Sequence, residues 1–472
     1  MFIPALFAWE RMYGGSERDV ANCIAATSDS GFVVVGHSYS FGAGDADVYL
    51  LRIDSNGDTL WTRTYGGLLH DTGESVVQTP DGGLVIVGRS NEYSLDSHYY
   101  SNRALIIRTN SNGDTLWTRR FESTMYSFKF SSVLISDSCY IVSGSSDYYV
   151  GGDNNQWLLY FEDDGDTLWT RKYPAYEYEG SGYPIKPTDD GGYIITGSNH
   201  NFPPTLLLRR LDSSYEIVWE RFYGVPGGTP HEILSIGYDV IQTKDGGFWG
   251  VGTGNLEAFD PCDVFVVRTD SLGDTLWTNK FGNGAFNAGN SVVETPDDGF
   301  LIAGCCNAFL AKLNANGDTM WTRFYGDSLE SSASSIAAIP GGGYIIAGSK
   351  VPAPGEQFDV YIFAVDSLGN DLASIEEEPS IPFSYIIDVY LNPFNSSCRI
   401  CAPSGSKIEI FDINGRLVAR IYIEGSESAE PLSTFASGAC RWQPDESLGS
   451  GVYLVRVRQD EKTSIRRVVY LK

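Results

Sequence analysis

The residues of this sequence best equipped for chemistry lie between its apolar runs. All five histidines, His37, His70, His98, His200 and His231, fall there. Aromatic and acidic side chains concentrate in the same intervals, as NEYSLDSHYYSNR (91–103), SDYYVGGDNN (146–155) and PAYEYEG (174–180). Tyrosine beside Asp, Asn and His suits a sugar ring: aromatic faces stack on C–H groups while carboxylates accept hydroxyl protons. The expected ligand-binding set is therefore His37, His70, Asp96, His98, Tyr99, Tyr149, Tyr178, His200 and His231.

Most catalytic patterns fail on spacing. A nucleophile elbow needs G-x-S-x-G ahead of a helix. The nearest string, Gly180-Ser181-Gly182, offers neither the spacing nor a helix. Zinc hydrolysis needs closely paired histidines, and these five stand far apart. Asp163-Asp164-Gly165-Asp166 lacks the ligand order of a calcium loop and reads as a hairpin turn. The string DSNGDTLW (54–61) superficially resembles the Asp-box of sialidases, but its Asp54 stands too far ahead of Gly57 and Trp61. Paired-carboxylate glycoside chemistry stays open, because acids abound in the long loops. No catalytic residue, metal ligand or cofactor is assigned, though acidic loops could hold calcium opportunistically.

Eight cysteines stand at 23, 139, 262, 305, 306, 398, 401 and 440. Cys398 and Cys401 form a C-x-x-C, but no histidine follows His231 and only Cys440 offers a third ligand. Zinc is disfavoured on that count. A disulfide from Cys440 to Cys398 or Cys401, or burial as small apolar side chains, are the remaining readings. Cys305 and Cys306 are adjacent.

The elements that carry these loops come from a repeat. Trp9, Trp61, Trp117, Trp169, Trp219, Trp277 and Trp321 recur about every 50 residues, a period in the propeller range. Five sit in near-identical strings: GDTLWTRTYGG (57–67), GDTLWTRRF (113–121), GDTLWTRKY (165–173), GDTLWTNKFG (273–282) and GDTMWTRFYG (317–326). YEIVWERFYG (215–224) and FAWERMYGG (7–15) are looser copies. Each unit reads as four strands. An alternating run such as Ser75–Thr79 leads through the turn PDGG (80–83) to the apolar run LVIVG (84–88). After a variable loop, ALIIRT (104–109) leads through NSNGD (110–114) to the tryptophan strand. Gly supplies the positive φ of both turns. The two-residue period places Trp61, Arg63 and Tyr65 on one face, with Trp expected on a buried apolar face.

Seven three-strand modules, at about 19–53, 74–109, 128–163, 181–212, 234–270, 289–314 and 332–366, accompany seven tryptophan strands. The last module ends in DSLGNDLAS (366–374), where the tryptophan strand has decayed, and the orphan tryptophan strand lies at the N-terminus. A seven-bladed β-propeller over 1–371, with residues 7–14 completing the seventh blade, accounts for both and leaves no open seam. An open β-solenoid would not explain why the strand missing at one end is present at the other. Short turns then share one face of the propeller and the long loops the other.

Residues 372–382, LASIEEEPSIP, read as an acidic linker, and 383–472 as a small immunoglobulin-like β-sandwich. In this second unit LNPFNSS (391–397), IEIFDINGRLV (408–418), SGVYLVRV (450–457) and RRVVYLK (466–472) occur in order. Together they resemble the C-terminal sorting domain of the bacterial type IX secretion system. Trp442 ahead of SGVYL adds a resemblance to the immunoglobulin-like fold of flagellar hook-capping proteins. Tyr390-Leu391-Asn392-Pro393 departs from the usual form, which has a second Pro ahead of the Asn. The resemblance implies an address: export by the type IX machinery, to be released or held at the outer cell surface. Residues 1–9, MFIPALFAW, carry no basic residue ahead of the apolar stretch and run straight into a repeat. No intact signal peptide is read there.

Composition narrows the partners. The 472 residues carry a formal net charge of −27, from 60 Asp+Glu against 33 Lys+Arg. That charge repels phosphate and excludes nucleic acid. Hydrophobic residues at 42% and aromatic residues at 13% exclude a disordered acidic chain. No apolar run approaches the roughly 20 residues of a membrane helix. Acidic and basic residues nearly balance over 380–472, so the negative excess belongs to the repeat. The function expected is a secreted or surface-displayed, non-enzymatic binding scaffold for a glycan or protein on the long-loop face. The alternative is a secreted carbohydrate-active hydrolase or lyase using carboxylates of that face.

Overall fold

The computed structural model describes residues 9–93, 100–121, 127–136, 138–147, 155–174, 184–199, 205–224, 235–254, 263–282, 287–326, 330–340 and 342–370. In the C-terminal unit it describes 388–390, 398–403, 406–412, 416–422, 437–444, 448, 451–459 and 462–470. The contacts divide the chain into Met1–Glu376 and Glu377–Lys472.

The first unit is a seven-bladed β-propeller. Blade 1 comprises Asp19–Ala26, Phe32–Ser38, Asp47–Ile53 and Thr59–Tyr65, antiparallel and in chain order across the sheet. Blades 2 to 6 repeat this plan, opening with Asp71–Gln78, Ser127–Ser136, Ile185–Pro187, Ser235–Gln242 and Gly289–Glu294. Blade 7 has Ser331–Ala338, Tyr344–Lys350 and Asp359–Val365, and its fourth strand, Trp9–Tyr13, comes from the other end of the chain. The pairing is antiparallel and runs from Trp9 opposite Ala364 to Tyr13 opposite Val360. The first strands contact one another in succession, with blade 7 meeting blade 1, and so surround an axis.

Each hydrophobic cluster of this unit is shared by two neighbouring blades. Val33 and Val35 pack with Val76, Leu84 and Ile86 of blade 2. Their strand neighbours Phe32 and Val34 pack with Ile345, Val360 and Ile362 of blade 7. The inner strands are therefore covered on both faces, which is why they read as unbroken apolar runs. Burying each such side chain contributes about 1.5–3 kcal/mol.

The tryptophans lie on the apolar face that the two-residue period suggested: Trp9 and Trp219 are buried in the cores shared between blades, and Trp61, Trp117, Trp169, Trp277 and Trp321 pack half-buried against them. Each belongs to the outermost strand of its blade and docks on a turn of the next blade. Trp9, Trp61, Trp117, Trp219, Trp277 and Trp321 lie against Gly57, Gly113, Gly165, Gly273, Gly317 and Gly369. Those glycines have φ between 77° and 85°, a region that disfavours any residue with a Cβ. Trp169 meets Tyr215 instead, with ring centroids 4.5 Å apart. Tyr215 holds the left-handed conformation at φ 64° and stacks on Tyr193. Leu60, Leu116, Leu168, Val218, Leu276 and Met320, each immediately before its tryptophan, are exposed.

Hydrogen bonds complete the latch. The indole nitrogens of Trp9, Trp117 and Trp219 donate to Ser55 O, Asp163 O and Ser271 O at 3.2, 2.8 and 3.2 Å. Four residues after the tryptophan, Tyr13, Tyr65, Tyr223 and Tyr325 donate to the carbonyls of Gly57, Gly113, Gly273 and Gly369 at 2.5–2.7 Å. Tyr173 donates likewise to Tyr215 O. Where that position is Phe121 or Phe281, the residue two earlier substitutes. Arg119 donates to Asp164 O at 3.3 Å and Asn279 to Gly317 O at 2.8 Å.

A second repeated device closes the short turns. Arg52, Arg108, Arg210 and Arg268, near the ends of third strands, are buried. They bond turn carboxylates Asp29, Asp81, Asp190 and Asp245. Lys312 and Asp297 do the same in blade 6 at 2.8 Å. Each carboxylate also accepts from a Thr two residues earlier. The Thr79 hydroxyl, the Gly83 amide and Arg108 together hold the Asp81 carboxyl down at about 2.

The second unit contains a three-stranded sheet of Asp388–Tyr390, Cys398–Pro403 and Ser437–Trp442. Its four-stranded sheet is ordered Leu417–Tyr422, Lys407–Asp412, Gly451–Gln459, Lys462–Tyr470. Ile400 and Trp442 of the first sheet share a core with Ile408, Ile410, Tyr453 and Val455 of the second, which makes the pair a small sandwich. Glu409 accepts from Lys407, Arg420 and Arg456 at 2.7–2.9 Å. Cys440 pairs with Ile400 in the ladder, but the side chains of Cys398, Cys401 and Cys440 lie outside the described residues, as does the expected linker 372–382.

The latch makes a separable demand on its glycines. A methyl group on Gly317 would stand 2.3 Å from the Trp277 ring, whereas one on Gly191 (φ 80°) would meet nothing. Gly191→Ala should lose only the left-handed penalty of about 1–2 kcal/mol. Gly317→Ala should lose that and the docking contact, giving a clearly lower urea midpoint than Gly191→Ala. Equal midpoints would refute the latch.

Candidate functional site

Six of the seven first strands carry a β-bulge at the same place. The register against the second strand shifts between Ala21 and Cys23, Gly73 and Ser75, and Phe130 and Ser132. It shifts again between Gly237 and Asp239, Gly289 and Ser291, and Ala333 and Ser335. A bulge re-aims side chains and interrupts the two-residue alternation. Here it turns two consecutive side chains to the axis in each blade: Asn22 and Cys23, Glu74 and Ser75, Ser131 and Ser132, Tyr238 and Asp239, Asn290 and Ser291, Ser334 and Ser335. The short first strand of blade 4 adds Pro184 and Lys186, and Lys129 completes the lining. Together they line an open polar cavity of about 450 Å³.

Side chains after the bulge tie one blade to the next. Ser75 accepts from Val133 N at 3.4 Å and Ser335 from Ile24 N at 3.3 Å. Asp239 accepts from Val292 N and the Ser291 hydroxyl, each at 3.0 Å, and from Val240 N at 2.9 Å. It also pairs with Lys186 at 3.5 Å. Asn22 and Asn290 donate to Gly73 O and Ala333 O at 2.8 Å. The buried hydroxyl of Ser131 has no partner among the described residues.

Two carboxylates and two ammonium groups face the cavity, so the axis is near neutral inside an acidic body. Burial pushes the Glu74 carboxyl up, while Lys129 and Arg89 pull it down. Thr72 donates to Glu74 at 3.3 Å and accepts from Arg89 Nε at 3.1 Å. Burial also pushes the Cys23 thiol up.

The structure describes two residues of the expected ligand set and brings them together. His37 is the penultimate residue of the second strand of blade 1, and His70 lies in the loop entering blade 2. Their ring centroids are 5.6 Å apart. Tyr39 packs on both, and its hydroxyl lies 3.1 Å from His70 Nδ1. His37 Nδ1 is buried without a partner among the described residues. Burial first, then His70, Arg18 and Arg89, lower the His37 pKa to about 4. Arg89 thus acts on both the histidine pair and Glu74. The other seven, Asp96, His98, Tyr99, Tyr149, Tyr178, His200 and His231, lie outside the described residues.

The axial residues escaped the sequence reading, although a signal was present. NCIAAT (22–27), ESVVQT (74–79), SSVLIS (131–136), YDVIQT (238–243), NSVVET (290–295) and SSIAAI (334–339) each put two polar or small residues ahead of an apolar pair. That doublet breaks a period of two, as a bulge must. Among the described residues no three His, Cys, Asp or Glu side chains converge as a metal cage.

No protein-family model and no curated protein sequence matches the chain. Solved structures of similar shape include a puromycin hydrolase, at 12% identity and a TM-score of 0.49, covering 82% of this chain and 59% of that one. The chain therefore spans little more than half of that enzyme. The WD40 domain of Toxoplasma gondii coronin aligns at 10% identity and a TM-score of 0.42, covering 76% of this chain and 87% of that one. YCF48 bound to D1 peptide aligns at 10% identity and a TM-score of 0.42, covering 80% and 99%.

Two groups on this unit should give opposite pH signatures. His37 falls from 6.5 to about 4 on folding, so between those values the unfolded chain binds more protons and stability drops as pH falls. At the junction of blades 7 and 1, burial, Asp19 and Glu356 raise Asp359 from 3.8 to about 6. The folded chain binds the extra proton in that window, and stability is lost as pH rises through it. His37→Gln should flatten the acid-side loss between about pH 6.5 and 4. Asp359→Asn should raise the urea midpoint near pH 7 and leave it unchanged near pH 4. A wild-type pH slope retained in His37→Gln contradicts the assignment.

Proposed function

We propose that this chain is an exported, non-enzymatic binding protein. Its propeller takes a polar ligand group, from a glycan or a protein, into the axial cavity beneath the long-loop face. The observation that carries this reading is the convergence of six bulges on one cavity. A bulge interrupts a ladder, re-aims a side chain and is over-represented next to active sites, and six of them aim polar side chains at one space. Donors and acceptors are both present there, from Asn22, Asn290, the serines, Lys129 and Glu74, which suits a hydroxyl-rich or amide-rich ligand.

A hydrolytic reading draws on one observation, the raised pKa of Glu74, which is the state of a general acid. Such chemistry needs a second free carboxylate. Asp239 is already engaged by Lys186, Ser291 and two backbone amides, which favours binding over turnover.

A glycan array and a peptide array, each probed with the full chain, test the proposal. Binding without product release, abolished by Ser334→Trp at an unchanged melting temperature, is expected. Release of product from a polysaccharide, lost in Glu74→Gln, would replace the binding reading with the hydrolytic one.

The C-terminal sandwich is the proposed type IX address, on the strength of the four ordered strings described above. Behind the same leader in a type IX-secreting bacterium, the full chain should reach the medium or outer surface. A chain ending at residue 382 should stay in the periplasm. Equal distribution of the two would refute the address.

A further inference from the structure

We infer that Cys305 and Cys306 form a two-electron redox site, a vicinal dithiol that closes to a disulfide by exchange with a low-molecular-weight disulfide. In an extended strand successive side chains point to opposite faces, so neighbouring cysteines are ordinarily kept apart. Here their sulfurs stand 3.6 Å from each other. The backbone achieves this with two consecutive left-handed residues, Cys306 at φ 65° and Asn307 at φ 75°. Asn adopts this region readily, but for the non-glycine Cys306 it is uncommon. A conformation of this kind persists where surrounding structure enforces it, and it collects at functional positions.

The surroundings do enforce it. The pair lies in a four-residue connection between Phe300–Gly304 and Phe309–Leu313. Cys305 N donates to Ala288 O at 3.1 Å, and Cys305 bridges to Ser332. Asn307 N donates to Ser331 O at 3.0 Å and Ala308 N to the Ser331 hydroxyl at 2.9 Å. Both flanks of the dithiol are thereby fastened to the first strand of blade 7, whose Ser334 and Ser335 line the axial cavity. Cys306 is exposed and Cys305 half-buried, the arrangement of an attacking thiol with a resolving thiol behind it.

The exchange balances without a further reactant. The Cys306 thiolate attacks one sulfur of the disulfide RS–SR, forming a Cys306–SR bond and expelling RS⁻. The Cys305 thiolate then attacks the Cys306 sulfur, closing the Cys305–Cys306 bond and expelling the second RS⁻. The two cysteine protons end on the two RSH molecules. The cysteines are oxidised, RS–SR is reduced, and closure brings the sulfurs from contact to the roughly 2.05 Å of a covalent bond. This site stands independently of the proposed binding function.

The full chain, equilibrated in buffers of rising glutathione disulfide to glutathione ratio, then acid-quenched, alkylated and digested, tests this. At oxidising ratios the peptide containing 305–306 should lose two hydrogens in mass, take no alkyl group and carry no glutathione. Dithiothreitol should restore two alkylatable thiols. Cys306→Ser should never show the two-hydrogen loss. Two alkylatable thiols at every ratio, a stable glutathione adduct in the wild-type peptide, or a cross-link from it to another cysteine would each overturn the assignment.

Discussion

The propeller depends on one contact repeated around its rim: an indole ring laid on a left-handed glycine of the following blade. The contact has two halves that a single mutation cannot trade. The ring needs a site without a Cβ, and the glycine conformation needs a residue without a Cβ. In four blades the tyrosine four residues on donates its hydroxyl to the same glycine carbonyl, and in the other three Tyr173, Arg119 or Asn279 bonds a carbonyl of the facing turn, so the outer strand is held at two points. With the rims spaced in this way, neighbouring sheets share their apolar faces and the first strands meet around an axis. The axial cavity is therefore a consequence of the rim, through sheets that are buried on both sides.

Much of this was legible because the repeat preserves it. The GDTLW string carries the glycine of one latch and the tryptophan of the next. Even the decayed turn at 366–370 keeps Gly369 for Trp321. Periodicity placed the tryptophan on one face of its strand but could not say what covers that face. The strand is the outermost, and its cover comes from another blade. Tyr215 was legible only as a loose copy of the repeat, because a stack on Tyr193 substitutes there for the freedom of glycine. The axial site was illegible for a different reason: the expected alternation hid a doublet, and only the ladder register shows that an extra residue is present. His37 and His70 were read as members of one face. Their pairing needs the loop before blade 2 to fold back on the end of a strand in blade 1, which no local pattern records.

The acidity of the repeat also divides differently from its composition. Asp29, Asp81, Asp190, Asp245 and Asp297 hold buried cations at the ends of third strands, so they are part of the framework. Around the axis the charges balance. The negative surplus sits elsewhere on the propeller, where it opposes self-association.

The blade that joins both ends of the propeller sets the order in which the molecule can be made. Trp9 to Tyr13 are synthesised before the other strands of the propeller, yet their partners at 360–364 are among the last of the ring. Contacts so distant in sequence form slowly, since the loop entropy is lost before any contact compensates it. Until then the outer edge of blade 7 is bare, and the N-terminal strand is an unpaired ribbon able to bind the wrong edge. Six blades can form in sequence, each against the last. The seventh waits for the whole ring, so the closing strand reports that all of the others are in place.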